Sequence, residues 1–260
     1  MNKKATFLEL METNKMNKEL EILKKDLKHL LKSKMMILYI LTGLLVIVME
    51  CNIPKRGLMD FSLNESITIL LLGYGVYFKI LLLMTSCDLF AHDYISASRK
   101  IVFTSQIPKY MIFFEKIVAN ILYSFILGVV YLVIEIAAKY KINSAISVRE
   151  NAESILVFIV VDLVFAVTAI VLNILTKKYT ISLIIQLVFF TGNLGILISK
   201  IGSQISNPFI NKIVKNNIFS AVDICFSQQK FVSDLWKYIL CYIIMAVFLG
   251  NILLNKKDVN

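Results

Sequence analysis

The sequence predicts an all-α integral membrane protein: six transmembrane helices, an N-terminal amphipathic interfacial helix before the first, and a cytoplasmic helix between spans 2 and 3. Three observations predict it. Hydrophobic residues make up 58% of the 260 residues and the mean hydropathy is +0.74, whereas a soluble domain is about 45–50% apolar. Six apolar runs, at about 33–51, 66–87, 117–138, 154–175, 180–199 and 235–254, have the length of a bilayer crossing. A helix of about 20 apolar residues spans the hydrocarbon and satisfies its own backbone hydrogen bonds. Finally, segments 1–34, 88–116, 176–180 and 255–260 hold 17 of the 28 Lys and Arg, while the alternate loops 52–65, 139–153 and 200–234 hold 9. The positive-inside rule then places both termini in the cytoplasm.

The net charge of +10 follows that topology. It reads as orientation plus attraction to anionic lipid heads, and it argues against a nucleic-acid partner. The expected organisation is a cytoplasmic segment at 1–32, a transmembrane domain at 33–254 and a cytoplasmic tail at 255–260.

Residues 1–15 show no period. From Met16 to Lys32, Leu20, Leu23, Leu27, Leu30 and Leu31 recur at helical spacing between Lys and Glu, which makes a narrow apolar stripe. Lys24, Lys25, Lys28 and Lys32 suit a helix lying on an anionic leaflet; packing on another subunit is the alternative. His29 reads as solvated or interfacial. The charged start is unlike a cleavable signal, and Glu50 spoils Val48 to Cys51 as a lipobox, so the first span is expected to be retained. In the long third outer loop, Pro208 to Val214 and Ile218 to Phe226 suggest short interfacial or re-entrant helices. Trp236 and Tyr238 open the last span as an interfacial aromatic belt.

Catalytic motifs are missing from the chain. It contains no GxxxxGK followed by Ser or Thr, no HExxH and no GxSxG, so it has no P-loop, zincin or hydrolase-elbow chemistry. Cys51, Cys87, Cys225 and Cys241 form no CxxC pair, and no metal site is expected. Cys51 and Cys225 share the outer side, but lone cysteines in such places usually act as small apolar residues. Gly73, Gly75, Gly192 and Gly195 lie inside spans and suit close helix approach. Charges within spans are costly and often functional. Lys79 and Asp162 stand at similar depth and are read as a pair, or as two groups lining a polar cavity; the alternative is that Lys79 snorkels and Asp162 is satisfied locally. Glu50 and Glu135 are expected to be interfacial.

The loop from Asp88 to Lys116 mixes acids, bases, aromatics and one proline between two membrane-length spans. Asp88 to about Val102 reads as a helix, with Asp93 and Arg99 to either side of Tyr94 and Ala97-Ser98, and Pro108 ends it. In this pattern the chain resembles the membrane (permease) subunit of type-2 ABC exporters. Asp93 resembles that family's acidic residue in the loop, Ala97-Ser98 its small pair, Pro108-Lys109 its proline and base, and Lys116 the lysine entering span 3. Lys256-Lys257-Asp258 resembles its C-terminal ending. Ala97 replaces the usual glycine, and the base follows the proline by one position rather than about three.

The resemblance implies that the loop is a coupling helix. Asp88, Asp93, Tyr94, Arg99, Lys100, Pro108, Lys109 and Lys116 are then the candidate contacts to separate ABC ATPase subunits. It also implies a second permease copy or a sister permease, ATP and magnesium in the partner ATPase with no cofactor in this chain, and export as the direction. Lys- and Asn-rich, Arg-poor usage suggests a low-GC bacterial source and the bacterial plasma membrane. Small permeases of this kind resemble exporters or immunity pumps for antimicrobial peptides. A secondary transporter, or a non-transporting membrane sensor or immunity protein, is the rival expectation.

Overall fold

In the computed structural model, which describes residues 20–54, 61–95, 109–142, 147–190, 193–204, 206–232 and 234–256, every regular element is an α-helix. They are α1 (20–31), α2 (Lys34–Asn52), α3 (Leu63–Ile95), α4 (Lys109–Lys141), α5 (Val148–Thr176), α6 (Tyr179–Phe190), α7 (Asn193–Ser203), α8 (Pro208–Lys215), α9 (Ile218–Gln228) and α10 (Leu235–Lys256).

Local chemistry accounts for where they start. The Ser33 hydroxyl accepts from the Met36 amide at 3.2 Å and caps α2. Ser62 and Glu65 form a reciprocal capping box at α3, with Ser62 N–H to Glu65 at 2.8 Å and Glu65 N–H to Ser62 at 3.3 Å. Asn207 caps α8 ahead of Pro208 at the first helical position, and Asn217 caps α9. α5 ends on Lys177 in the left-handed conformation, φ 54°.

Five of these helices, α2, α3, α4, α5 and α10, are long and apolar enough to cross a membrane. The run expected at 180–199 is instead two helices, α6 and α7, bent by 47°, which meet the same criterion only as a pair. In the sequence, Thr191-Gly192-Asn193 interrupts the apolar run at this point.

α5 is the hub, packing against α3, α4, α6, α9 and α10. Val157, Phe158, Val161, Val164, Phe165 and Ala166 on it are fully buried. An aromatic cluster locks α2, α3, α4, α5 and α9 together. Tyr39 lies against Phe78 (centroids 3.6 Å), Tyr74 stacks on Tyr131 (6.0 Å, 5°), and Phe158 bridges Phe78 (4.9 Å) and Phe226 (5.2 Å). The Tyr39 hydroxyl donates to the Leu127 carbonyl at 2.8 Å, which satisfies the one polar atom the ring brings inside.

The outside of the bundle is also apolar. Val118, Leu122, Phe125, Val129 and Val133 form an exposed stripe down α4, and Ile37, Leu41, Leu44, Leu45 and Val48 do the same on α2. Water does not tolerate patches of this extent, whereas lipid tails cover them at no cost. The chain is thus a multi-pass membrane protein.

The two ends of the bundle differ. One gathers α1, the end of α3, the start of α4 and the α5–α6 turn. The other gathers the small cluster of Ile53, Ile67 and Ala138, the Lys141 ammonium on the Cys51 carbonyl at 2.9 Å and Lys230 on Glu150 at 3.0 Å. α3 runs unbroken through Asp88 to Ile95; the rest of the helix expected to reach Val102 lies outside the described residues, as do 1–19 and 257–260.

Gly195 fulfils the expected close approach. A Cβ there would stand 2.9 Å from the Ser220 amide nitrogen, whereas one at Gly73 meets nothing within 4 Å and one at Gly75 only Phe226 at 4.0 Å. Gly195→Leu should therefore destabilise the detergent-solubilised protein by about 1–3 kcal/mol, read by thermal unfolding, while Gly73→Leu should leave it within about 0.5 kcal/mol.

Candidate functional site

Three polar constellations sit within or beside the apolar bundle. The deepest is centred on Asp162, in the middle of α5 and fully buried. Ser86 of α3 donates to its Oδ1 at 2.8 Å, Asn120 of α4 donates to Oδ2 at 2.8 Å, and the Ser124 hydroxyl, one turn further along α4, also donates to Oδ2. A lone carboxyl in such surroundings costs several kcal/mol, and hydrogen bonds to both oxygens offset much of that. The four side chains tie three helices at one level of the bundle. Around them, Asn173 donates to the Cys87 carbonyl at 3.3 Å, Gln186 donates to the Phe165 carbonyl at 3.4 Å, and Thr168 bonds Tyr242 at 2.8 Å.

Lys79 belongs to a different constellation. Its ammonium meets Asp223 of α9 at 2.5 Å, not Asp162 as expected. The correction follows from α9. The segment before α10 folds back onto the bundle, burying Ala221, Val222, Cys225 and Phe226, and delivers a carboxylate to a lysine that a simple loop would leave to snorkel. Lys79 and Asp223 line a cavity of about 260 Å³ together with Gly75, Tyr131, Glu135 and Phe226. Asp162 matches the local alternative, satisfied by Ser86, Asn120 and Ser124.

The third constellation is at the α1 end. Lys116, expected on a contact surface, is 1% exposed. Its ammonium pairs with Asp26 of α1 at 3.0 Å and reaches the Leu89 carbonyl at 3.4 Å. Asp26 and Leu30 form the buried stripe of α1 while Leu20 and Leu31 are exposed, so the helix docks on the bundle through a buried ion pair as well as through leucines. That takes Lys116 out of the surface a partner could touch. Asp88 stays half-exposed and lies 3.4 Å from His29 of α1. Asp93 and Tyr94 stand in the last turn of α3 and Lys109 opens α4, but their side chains lie outside the described residues, as do Arg99, Lys100 and Pro108 altogether.

The two glutamates near span ends differ in surroundings. Glu50 is 1% exposed, and neither of its carboxylate oxygens meets a donor among the described residues. Glu135 pairs with Lys139 at 2.9 Å one turn away. Cys51 is exposed and Cys225 buried, both as free thiols. Among the described residues no group of His, Cys, Asp and Glu is arranged to hold a metal.

Sequence reasoning missed Asp26, Ser86, Asn120, Ser124 and Asp223. The signal for three of them was present. Ser86, Asn120 and Ser124 are polar residues inside apolar runs, and Asn120 and Ser124 share one face at i, i+4. Nothing local marked Asp26 or Asp223, whose partners are 90 and 144 residues away.

These contacts make two predictions. Asp162→Ala leaves Ser86 and Asn120 without their acceptor, while Ser124 can fall back on the Asn120 carbonyl at 2.7 Å. It should cost about 2–4 kcal/mol in thermal unfolding, and Asp162→Asn, which keeps a carbonyl oxygen, should cost less. Among charge swaps, Lys79→Asp with Asp223→Lys should recover the folded yield lost in either single variant, and Lys79→Asp with Asp162→Lys should recover none, as read by monodisperse protein in size-exclusion chromatography.

Compared with known proteins, the chain matches no family model and no characterised sequence.

Proposed function

We propose that the chain is the permease subunit of an ATP-binding cassette transporter in a bacterial plasma membrane. Both termini are cytoplasmic, and α6 and α7 together make the fifth of six spans. It carries no ATPase chemistry of its own. Two such units, identical or with a sister permease, enclose a path, and separate ATPase subunits dock beneath the segment between α3 and α4. Closure of the ATPases on ATP pushes that segment and shifts the permease between its two open states, a rigid-body change in population. The direction is export, and the substrate class is a hydrophobic or amphipathic molecule such as an antimicrobial peptide, which suits a path bordered by apolar helices.

One observation carries this reading. α3 and α4 have 33 residues each, about 50 Å at 1.5 Å per residue, against a hydrocarbon thickness of about 30 Å. The span cores read at 66–87 and 117–138 are bounded by the charges of Asp88 and Lys116; with the membrane boundary taken there, 88–95 and 109–116 form a stalk. Lys116, Asp26 and the Leu89 carbonyl lock that stalk to α1. A stiff stalk converts a push on 96–108 into movement of spans 2 and 3, which a slack loop would absorb.

A second reading, ion-coupled secondary transport, is favoured by Asp162 alone, since a buried carboxylate ringed by hydroxyls and an amide is a group that a proton or cation can occupy. The two separate cleanly in inverted vesicles. Depleting ATP while holding the ion gradient should stop transport under the first reading and leave it running under the second.

The test of the main reading is to purify the chain with the products of its neighbouring genes. An ATPase should co-purify. If none does and no neighbouring gene encodes one, the proposal is wrong. Reversing Asp93 or Arg99 (Asp93→Lys, Arg99→Glu) should uncouple ATP hydrolysis from transport without loss of membrane insertion, and normal transport in both variants would remove the coupling assignment.

A further inference from the structure

At the α1 end a crevice of about 720 Å³ opens between α1, the start of α2, the end of α3, the start of α4 and Tyr179 of α6. That volume lies within the about 300–1,000 Å³ typical of small-molecule sites. Its lining combines Lys25, Lys28, Lys32 and Lys34 with the apolar Met35, Met84 and Leu89, and includes the Lys116–Asp26 ion pair. Five lysines against two aspartates, Asp26 and Asp88, leave the lining at +3 with His29 neutral.

The lysine wall is self-repelling as it stands. Lys25, Lys28 and Lys32 follow one another at i+3 and i+4, which puts like charges side by side on one helix face and weakens the helix. Among the described residues none of Lys25, Lys28, Lys32 and Lys34 makes an ion pair; the pairs at this end use Asp26 and Asp88 for Lys116 and His29 instead. Four exposed ammonium groups around a concave space hold a place for an anion. Just beside them Leu31, Ile37 and Leu38 are exposed at the α1–α2 junction, apolar side chains at the level where acyl chains begin.

We propose that this crevice binds the headgroup of an anionic glycerophospholipid. The phosphodiester sits against Lys25, Lys28 and Lys32, the glycerol backbone faces Met35 and Met84, and the acyl chains leave over Leu31 and Ile37. Basic pockets between spans are a known form of lipid-headgroup recognition. Here the lipid completes the docking of α1, because it neutralises the face that the Lys116–Asp26 pair cannot reach. The proposal depends on the chain lying in a membrane and is independent of the ATPase reading.

Native mass spectrometry of the full chain, delipidated in detergent and titrated with phosphatidylglycerol, phosphatidylcholine or soluble glycerol 1-phosphate, tests it. Phosphatidylglycerol should be retained about tenfold more strongly than phosphatidylcholine, and glycerol 1-phosphate should not compete at equal concentration. Lys25→Gln, Lys28→Gln and Lys32→Gln combined should weaken retention about tenfold to a hundredfold, whereas the matched triple Lys200→Gln, Lys212→Gln and Lys237→Gln should not. The triple of Lys25, Lys28 and Lys32 to Arg should retain the lipid, which separates lost charge from a lost fold. Equal retention of the two lipids by the wild-type chain overturns the proposal, with no variant needed. So does equal loss in the two Gln triples, which would mean diffuse charge, and so does competition by glycerol 1-phosphate, which would make the ligand a soluble anion.

Discussion

Everything in this bundle is arranged around a carboxyl group in its middle. Asp162 lies on the most buried helix, where no water can reach it, and its stability there depends on donors from α3 and α4 arriving at the same level. Apolar packing alone is permissive, since one helix can slide or rotate against another at little cost when both surfaces are leucine and valine. Within lipid this permissiveness is greater, because tails and side chains are equally apolar and no hydrophobic force drives helices together. A buried acid with three donors removes the freedom. A slip of one residue would leave a charged or polar group without partners, at a cost larger than most packing contacts supply. The aromatic cluster from Tyr39 to Phe226 then fills the space whose register Asp162 sets.

The same logic operates at the two ends with different consequences. At one end Lys79 captures Asp223 and draws the segment before α10 inward, so that α9 packs against the bundle rather than lying free. At the other, Lys116 captures Asp26 and fixes α1 across the base of α3 and α4. Each lysine is buried and each partner comes from outside the spans; Asp26 is buried with its lysine, whereas the Asp223 side chain stays 47% exposed. A buried pair contributes little net stability but penalises every alternative arrangement. The two pairs therefore account for how a chain with so few polar residues inside holds its connecting segments in place.

How far the sequence carries can be judged from particular residues. Helix identities were legible because membrane spans announce themselves by length; runs read at 66–87 and 117–138 became the cores of α3 and α4. The short helices α8 and α9 were legible too, from the apolar content of 208–214 and 218–226 in a long loop, and the structure adds Asn207 and Asn217 as the caps of their first turns. The bend between α6 and α7 was missed although Thr191-Gly192-Asn193 interrupts the apolar run there, a local turn signal that the length of the run outweighed. Nor was the close contact of Gly43 legible, where a Cβ would stand 2.9 Å from Ile134, since a single glycine in a span has no local mark of what faces it. The partners of Lys79, Lys116 and Asp162 lay beyond reach for a related reason. A charge in a span advertises that a partner exists, but its identity is set by which loops fold back, a property of tertiary structure. Lys116 misled for that reason, as its place at a span edge looks like a surface position.

The central claim is that force enters this protein from another chain through the segment carried by the α3–α4 stalk. Replacing Lys100 with a photo-reactive residue, in cells that also express the products of the neighbouring genes, tests it most directly. The account predicts a light-dependent product whose mass is the sum of this chain and an ATP hydrolase, whose peptides include a P-loop sequence, and whose yield changes when the hydrolase is trapped with vanadate. A product linking Lys100 only to lipid or to a second copy of this chain, unchanged by vanadate, would contradict it.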